Sequence, residues 1–222
     1  MIYEGLNPSQ SQSFILNEKF FFKDGLNYLV YDGTTIEEVL GYVPTTSIAR
    51  RPSGGGSVFE DVNMLTSLRK NSFLGDGVST EYYLDAKNID ADYVPDITVD
   101  GEKVISFTFN PAEGKIIFNS APPAPLTDGQ DNVVVKFRKT VVGHRDRINK
   151  CTLLEVFDNR VFFAGNQDYP NTLWHSSLND PSYCSDLDYY TEGMDLSRIK
   201  SIVAGNDALI VLKEPSQANT AV

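Results

Sequence analysis

Residues 158–177, DNRVFFAGNQDYPNTLWHSS, hold the chain's single Trp, Trp174, one of its two histidines, His175, and the adjoining hydroxyls of Ser176 and Ser177. An imidazole beside a hydroxyl is the raw material of nucleophilic catalysis, but a triad also needs a positioned base and an orienting acid. Neighbours on a strand face opposite ways, so His175 and Ser176 diverge if the segment is extended. No Gly-x-Ser-x-Gly elbow is present either. A structural strand fits better, with Trp174 and His175 on its two faces, one packed and the other hydrogen-bonded or exposed.

Other stretches raise chemistry and then fall short of it. SGGGS (53–57) after Arg50 and Arg51 has the glycines of a phosphate loop but lacks the Gly-Lys-Ser/Thr ending and a following helix, so it reads as a flexible connector. SDLDYYTEGMD (185–195) gathers Asp186, Asp188, Glu192 and Asp195 without the spacing of a calcium-binding EF-hand loop, and reads as a solvated turn. The Gly75–Gly77 and Asp128–Asn132 stretches read as hairpin turns. His144, Cys151, His175 and Cys184 fit no zinc-knuckle spacing. Tyr82, Tyr83 and Tyr93 could stack on a sugar, though core and rim positions suit them better. A glycosidase pair among thirty carboxylates can be neither found nor excluded by spacing. No catalytic, metal or cofactor site is therefore expected, and Arg50, Arg51, Arg145 and Arg147 are the candidates for docking an acidic partner.

The elements that carry these residues are strands. Thirteen Phe and eleven Tyr, many beside Val, Ile or Thr, favour β-structure, and eleven prolines and sixteen glycines interrupt nearly every run. A net charge of −11 argues against tight binding to nucleic acid phosphates. It would suit a surface past which DNA slides without sticking. Two cysteines make no disulfide framework and read as buried free thiols. Neither a signal peptide nor a membrane-spanning run is indicated.

One plan recurs. SFILNEKFFFKDGLNYLVYDG (13–33), LEVFDNRVFFAGNQDYPNTLWHSS (154–177) and SIVAGNDALIVLKEPSQANTAV (201–222) each set short strands around Asn- and Gly-bearing turns. Asn159 and Asn206 stand 47 residues apart, within the period of about 40–50 of four-stranded propeller blades. The chain stops at NTAV inside the third strand of the last copy, as a propeller cut short would. Between the copies, residues 71–139 read as a self-contained antiparallel β-sandwich. It is entered through a linker at 43–70 and left through TVVGHRDRINK (140–150). TIEEVLG (35–41) is the one candidate helix.

RVFFAGNQDYPNTLWHSSLNDPSYCSDLDYY resembles a motif of bacteriophage virion proteins that carry a β-propeller, the tail nozzle or tail-tubular class. The matching positions are Asn159, Arg160, Gly165, Asn166, Tyr169, Pro170, Asn171, Trp174 and His175. IARRPSGGGSVFEDVN and LKEPSQANT look like further landmarks, and the inserted GDGVSTEYYL…FTFNPAEGKIIFNSAPP is similar to a small β-module of phage tail proteins. The resemblance implies a multi-copy ring in the virion tail, assembled in the bacterial cytoplasm and joined to portal-side proteins around the DNA path.

The expectation is an all-β chain: a partial or interrupted β-propeller-like domain over 1–70 and 140–222 hosting an inserted antiparallel β-sandwich at 71–139. Its expected role is structural and non-catalytic, acting through a homo-oligomeric ring and neighbouring virion proteins, with passing contact with DNA and none with membrane. The alternatives are a carbohydrate-binding adhesin or depolymerase-like tail protein, which predicts exposed aromatics and paired carboxylates in a cleft, and a bacterial surface or sensor propeller.

Overall fold

The computed structural model describes residues 4–8 and 11–215. Strand takes about 42% of the chain against 3% helix, which makes it all-β, built from several sheets; no closed barrel or propeller forms among the described residues. The chain divides into two compact units. One takes the residues up to Tyr42, Asn63–Leu65 and everything from Val142 on; the other takes Val43–Val62 and Thr66–Val141.

The first unit opens with an antiparallel meander of β1 (Gln12–Leu16), β2 (Lys19–Lys23), β3 (Tyr28–Tyr31) and β4 (Ile36–Glu38). Asn17 and Glu18 make the two-residue loop between β1 and β2 with φ of 51° and 61°, the left-handed pair that matches strand twist in tight hairpins. In the run KFFFK the strand period sends Phe21 one way, stacked on Phe14 at 4.9 Å, and Phe20 and Phe22 the other. Asp24 then closes the turn to β3 by accepting from the Leu26 and Asn27 amides at 3.0 and 2.7 Å. The helix expected at 35–41 does not form. Ile36–Glu38 is strand, and the Val39 amide donates to the Tyr28 carbonyl at 2.9 Å. One turn's worth of β-branched sequence cannot repay helix nucleation when an open strand edge lies beside it.

The second unit holds β5 (Thr45–Arg50), β6 (Ser57–Val58), β7 (Leu68–Phe73), β8 (Glu81–Tyr83), β9 (Asp96–Val99), β10 (Glu102–Val104), β11 (Phe107–Asn110), β12 (Lys115–Phe118) and β13 (Val133–Arg138). They form a six-stranded sheet in the order β10-β9-β13-β7-β5-β6 and a three-stranded sheet in the order β11-β12-β8. Both contribute to one core, in which Tyr82 meets Phe73 and Phe118 edge-on at 5.3 and 5.0 Å. Val133, Val135 and Phe137 alternate inward along β13, the period-two signature of a strand with one buried face. The stretch 43–70 is not a linker: β5, β6 and the start of β7 lie in it, and β5 pairs parallel with β7. Composition hid this because β5 carries Arg and polar Thr and Ser in place of an apolar run.

The chain returns to the first unit through α1 (His144–Asn149), placed in a segment expected to be a linker, and then builds a second meander of β14 (Leu153–Phe157), β15 (Arg160–Ala164), β16 (Thr172–His175) and β17 (Tyr189–Thr191). The loop of β14 and β15, Asp158 and Asn159, repeats the left-handed pair of the first hairpin with φ of 48° and 54°. A two-stranded sheet of β18 (Ile199–Ala204) and β19 (Leu209–Lys213) follows. The third strand expected after it falls on residues 216–222, outside the described residues.

These three sheets pack in series. Leu154, Phe163 and Trp174 of the second meander join Phe14, Phe21 and Tyr28 of the first in one core. From its opposite face Phe162, Ala164 and Leu173 join Ile199 and Ile202 in another. The second meander is thus apolar on both faces, which is why VFFA carries no polar alternation.

Asn63 holds the separate segments of this unit together. Its side chain is fully buried; its amide nitrogen donates to the carbonyls of Tyr42 and Ser182, both at 2.8 Å, and its carbonyl oxygen accepts from the amides of Leu65 and Cys184, both at 3.0 Å. Replacement Asn63→Ala removes four hydrogen bonds and leaves the buried Leu65 and Cys184 amides without this acceptor, which should cost at least about 2 kcal/mol. Urea unfolding followed by circular dichroism reads this; a loss under about 1 kcal/mol would mean that other bonds hold the junction.

Candidate functional site

The motif residues of 159–175 lie close together, and each does a definable task. Arg160 reaches the Ser176 carbonyl at 3.2 Å. Gly165 has φ of +77°, and a Cβ there would stand 2.5 Å from Thr152 Oγ1, so the turn needs glycine on both counts. Asn171 donates to the Asp195 carbonyl at 2.9 Å, and the Pro170 carbonyl accepts from the Ile199 amide at 2.9 Å. Tyr169 sets its ring edge-on to Trp174 at 5.5 Å.

Asn166 explains α1. The last four carbonyls of a helix lack partners within it. Here the Asn166 side-chain nitrogen donates to the Arg147 and Asp146 carbonyls at 3.0 and 3.3 Å, and Cys151 Sγ donates to the Arg147 carbonyl at 3.1 Å. The Cys151 amide takes the Ile148 carbonyl at 3.0 Å, and Lys23 Nζ, from β2, takes that of Asn149 at 2.8 Å. Lys23 is 2% exposed, so a buried ammonium sits at the negative end of the helix. Burial pushes it from 10.5 down to about 8, against the raising pull of Cys151, Asp24 and Cys184, while Arg145 adds to the fall. Sequence reading passed over Lys23 and Asn63. The alternation of KFFFK does put Lys23 on the inward face with Phe21, a signal that was there to be used; Asn63 carries none.

The chemical cluster of the opening stretch does not assemble. Trp174 and His175 point to opposite faces. His175 is buried between Phe162 and Tyr190, at 5.4 and 5.6 Å, with Nδ1 3.0 Å from the Ser176 carbonyl oxygen. Ser176 is fully buried; its hydroxyl donates to the Ser177 carbonyl and accepts from the Val161 amide, both at 3.0 Å. Among the described residues no group of three or more His, Cys, Asp or Glu could hold a metal ion. Asp195 pairs with Lys213 at 2.8 Å. Cys151 and Cys184 are free and buried, and burial pushes the Cys151 thiol up to about 12 and that of Cys184 higher still.

Three of the four candidate docking arginines are engaged within the chain. Arg50 is 7% exposed, and its guanidinium donates to the carbonyls of Tyr83 at 2.9 Å and Gly55 at 2.6 Å and to Ser47 Oγ at 3.1 Å. The SGGGS stretch is its cradle: a Cβ on Gly56 would lie 2.6 Å from Arg50 Cγ. Arg50 as a partner contact is thus corrected, because its donors already face protein carbonyls in a closed pocket. Arg145 donates to the carbonyls of Leu65 at 2.6 Å and Val39 at 2.9 Å, and Arg147 lies over the Tyr169 ring at 5.8 Å. Arg51 is exposed. Of the tyrosines, Tyr82 is fully buried, while Tyr83 and Tyr93 each lie under a cation, Lys115 and Arg138.

What the first unit does offer outward is apolar sheet. Ile15, Phe20, Tyr31 and Ile36 are cross-strand partners in one row over the outer face of β1–β4. At the other end of the series, Val203 pairs with Ile210 and Ser201 with Leu212 on the outer face of β18–β19; Val203, Ile210 and Leu212 are about half exposed, at 45, 49 and 53%. Isolated exposed apolar residues need no account; these stand side by side across neighbouring strands. Compared with protein-family models, curated proteins and solved structures, the chain matches none.

The buried ammonium gives a pH signature. Between pH 8 and 10.5 the unfolded chain keeps a proton on Lys23 that the folded chain has released, so the penalty for burying the charge is full below pH 8 and relieved by 10.5. Relative to Lys23→Met, the wild type should therefore gain about 3 kcal/mol of stability across that window. Urea titrations of both proteins at several pH values measure this, and a pH-independent difference would refute a depressed Lys23.

Proposed function

We propose that this chain is a non-catalytic structural protein of a bacteriophage tail, of the nozzle or tail-tubular kind, which works by building a ring with further copies of itself and with portal-side virion proteins. The observation that carries the reading is the series of meander sheets in the first unit. A fully packed central sheet lies between two sheets that carry further apolar residues on their outer faces, as stacked propeller blades do. The two meanders of four strands and the hairpin that follows are on this reading successive blades, and the second unit, with its two sheets on one core, is the inserted sandwich module.

The motif positions favour the same conclusion. Asn159, Gly165, Asn166, Asn171 and Trp174 are engaged in turn, cap and core, and the buried Ser176 hydroxyl is spent on backbone groups. A wall-building role asks for such residues; hydrolysis asks for accessible ones. The net charge of −11 keeps DNA from adhering to the ring's channel as it passes.

Light scattering on the chain, alone and mixed with a portal-side ring protein from the same gene neighbourhood, tests this. A discrete multiple of 24.7 kDa, alone or on that partner, is expected. A monomer that ignores the partner, or salt-sensitive tight binding to duplex DNA, would overturn the reading.

A further inference from the structure

We propose that Asp128 is a modification site at which the chain converts spontaneously to isoaspartate, a change that routes the backbone through the side chain and lengthens it by one methylene. This holds whatever the chain assembles with.

An aspartate followed by glycine is able to close on its own backbone. The Gly129 amide nitrogen attacks Cγ of the protonated Asp128 carboxyl. A C–N bond forms, the C–O bond to the carboxyl hydroxyl breaks, and that hydroxyl leaves with the amide proton as water. A second water then opens the five-membered imide. Where it breaks the bond between the Gly129 nitrogen and the Asp128 α-carbonyl carbon, the side-chain carbonyl stays in the backbone and the former α-carbonyl becomes the free acid. One water leaves and one returns, so neither oxidant nor cofactor enters. Glycine favours the first step because it sets no Cβ beside the attacking nitrogen.

Asp-Gly pairs stand at 24, 32, 76, 100 and 128, and the structure sorts them. Three are built alike, with the carboxylate fixed over the residues beyond its glycine. Asp24 accepts from the Leu26 and Asn27 amides at 3.0 and 2.7 Å, Asp32 from those of Thr34 and Thr35 at 2.8 and 2.9 Å, and Asp76 from those of Val78 and Ser79 at 2.9 and 2.7 Å. The Thr35 and Thr34 amides hold the Asp32 carboxyl below the usual carboxylate range, and the Ser79 hydroxyl and amide do so for Asp76; an ionised carboxylate resists attack. Asp100 sits in the two-residue loop of β9 and β10, with Val99 and Glu102 paired on either side and its own amide donating to the Asn132 carbonyl at 2.7 Å. Swinging the Gly101 amide onto the side chain would break that loop.

Asp128 has neither restraint. Its side chain makes no hydrogen bond or ion pair among the described residues. It lies in the long connection between β12, which ends at Phe118, and β13, which begins at Val133. Over 124–130 the one hydrogen bond among the described residues runs from the Gln130 amide to the Thr127 carbonyl, at 3.1 Å. Leu126, Asp128 and Gly129 are exposed. Turning the Asp128–Gly129 peptide therefore costs a single exposed turn bond.

The test ages the folded 222-residue chain at mildly acidic pH. Electron-transfer mass spectrometry then locates isoaspartate, and a carboxyl methyltransferase specific for isoaspartyl groups counts it with labelled S-adenosylmethionine. Isoaspartate at 128 should accumulate about tenfold or more faster than at 24, 32, 76 or 100. Methyl acceptance should fall by most of its value in Asp128→Glu, whose longer side chain would have to close a six-membered ring. The chain aged in urea should lose the sorting and convert at all five pairs at similar rates. Equal rates at 128 and at the three bonded aspartates of the folded chain would overturn the proposal. So would an absence of isoaspartate at 128 in the folded chain, whether or not urea restores it, or undiminished methyl acceptance in Asp128→Glu.

Discussion

The buried amide of Asn63 closes a unit that the chain leaves and re-enters twice. Residues up to Tyr42, the three residues Asn63–Leu65 and the segment from Val142 on are separated by long stretches folded elsewhere. Among the described residues no strand ladder joins Asn63–Leu65 to the rest of the unit beyond the bridge of Asn63 with Ser185. One side chain with two donors and two acceptors reaches Tyr42, Leu65, Ser182 and Cys184, and uses its full hydrogen-bonding capacity in doing so. An apolar residue could fill the space but would leave the buried Leu65 and Cys184 amides without this acceptor. Around this point Met64, Leu65 and Cys184 then join the apolar core of the first two meanders.

The return through α1 is secured by the same means. A helix of six residues has nearly as many unpaired carbonyls as residues, so it persists only if its surroundings supply donors. They come from far along the chain in both directions: Lys23 before the second unit, Asn166 after it, and Cys151 at the helix end. Arg145, on the helix itself, reaches back to the carbonyls of Val39 and Leu65. Burying an ammonium is costly, and the depressed titration of Lys23 reports that cost. The bond to Asn149 and the helix end offset it in part. Sheet stacking supplies most of the apolar burial, and polar side chains decide which segments are stacked.

This division of labour explains what was legible in the sequence. Strands announce themselves by local alternation and by turn residues, so the hairpins at 13–31 and 154–175 and the inward valines of β13 were readable, as were Asn17 and Asn159 in left-handed turns. Residues that act across long sequence separations leave no local pattern. Asn63 looks like any loop asparagine, and Arg50 looks like a surface cation until Gly54–Gly56 are seen to fold around it. The same blindness turned 43–70 and 140–150 into linkers, because β5 and α1 are held by partners far away in sequence more than by their own propensities. The 35–41 segment failed the opposite way: it reads as the one candidate helix, and the free edge of β3 made it strand.

The distribution of apolar surface follows from stacking sheets in series. A sheet that is apolar on both faces needs a cover on each side, and every cover added in this way has an outer face of its own. β14–β17 is covered twice; β1–β4 and β18–β19, which cover it, carry Ile15, Phe20, Tyr31 and Ile36 and Val203, Ile210 and Leu212 outward. Polar residues interrupt both outer faces among the described residues: Ser13 and Glu38 share the face of Ile15, Phe20 and Ile36, and Ser201 stands opposite Leu212, so strand alternation holds on the inner faces while the outer ones stay mixed.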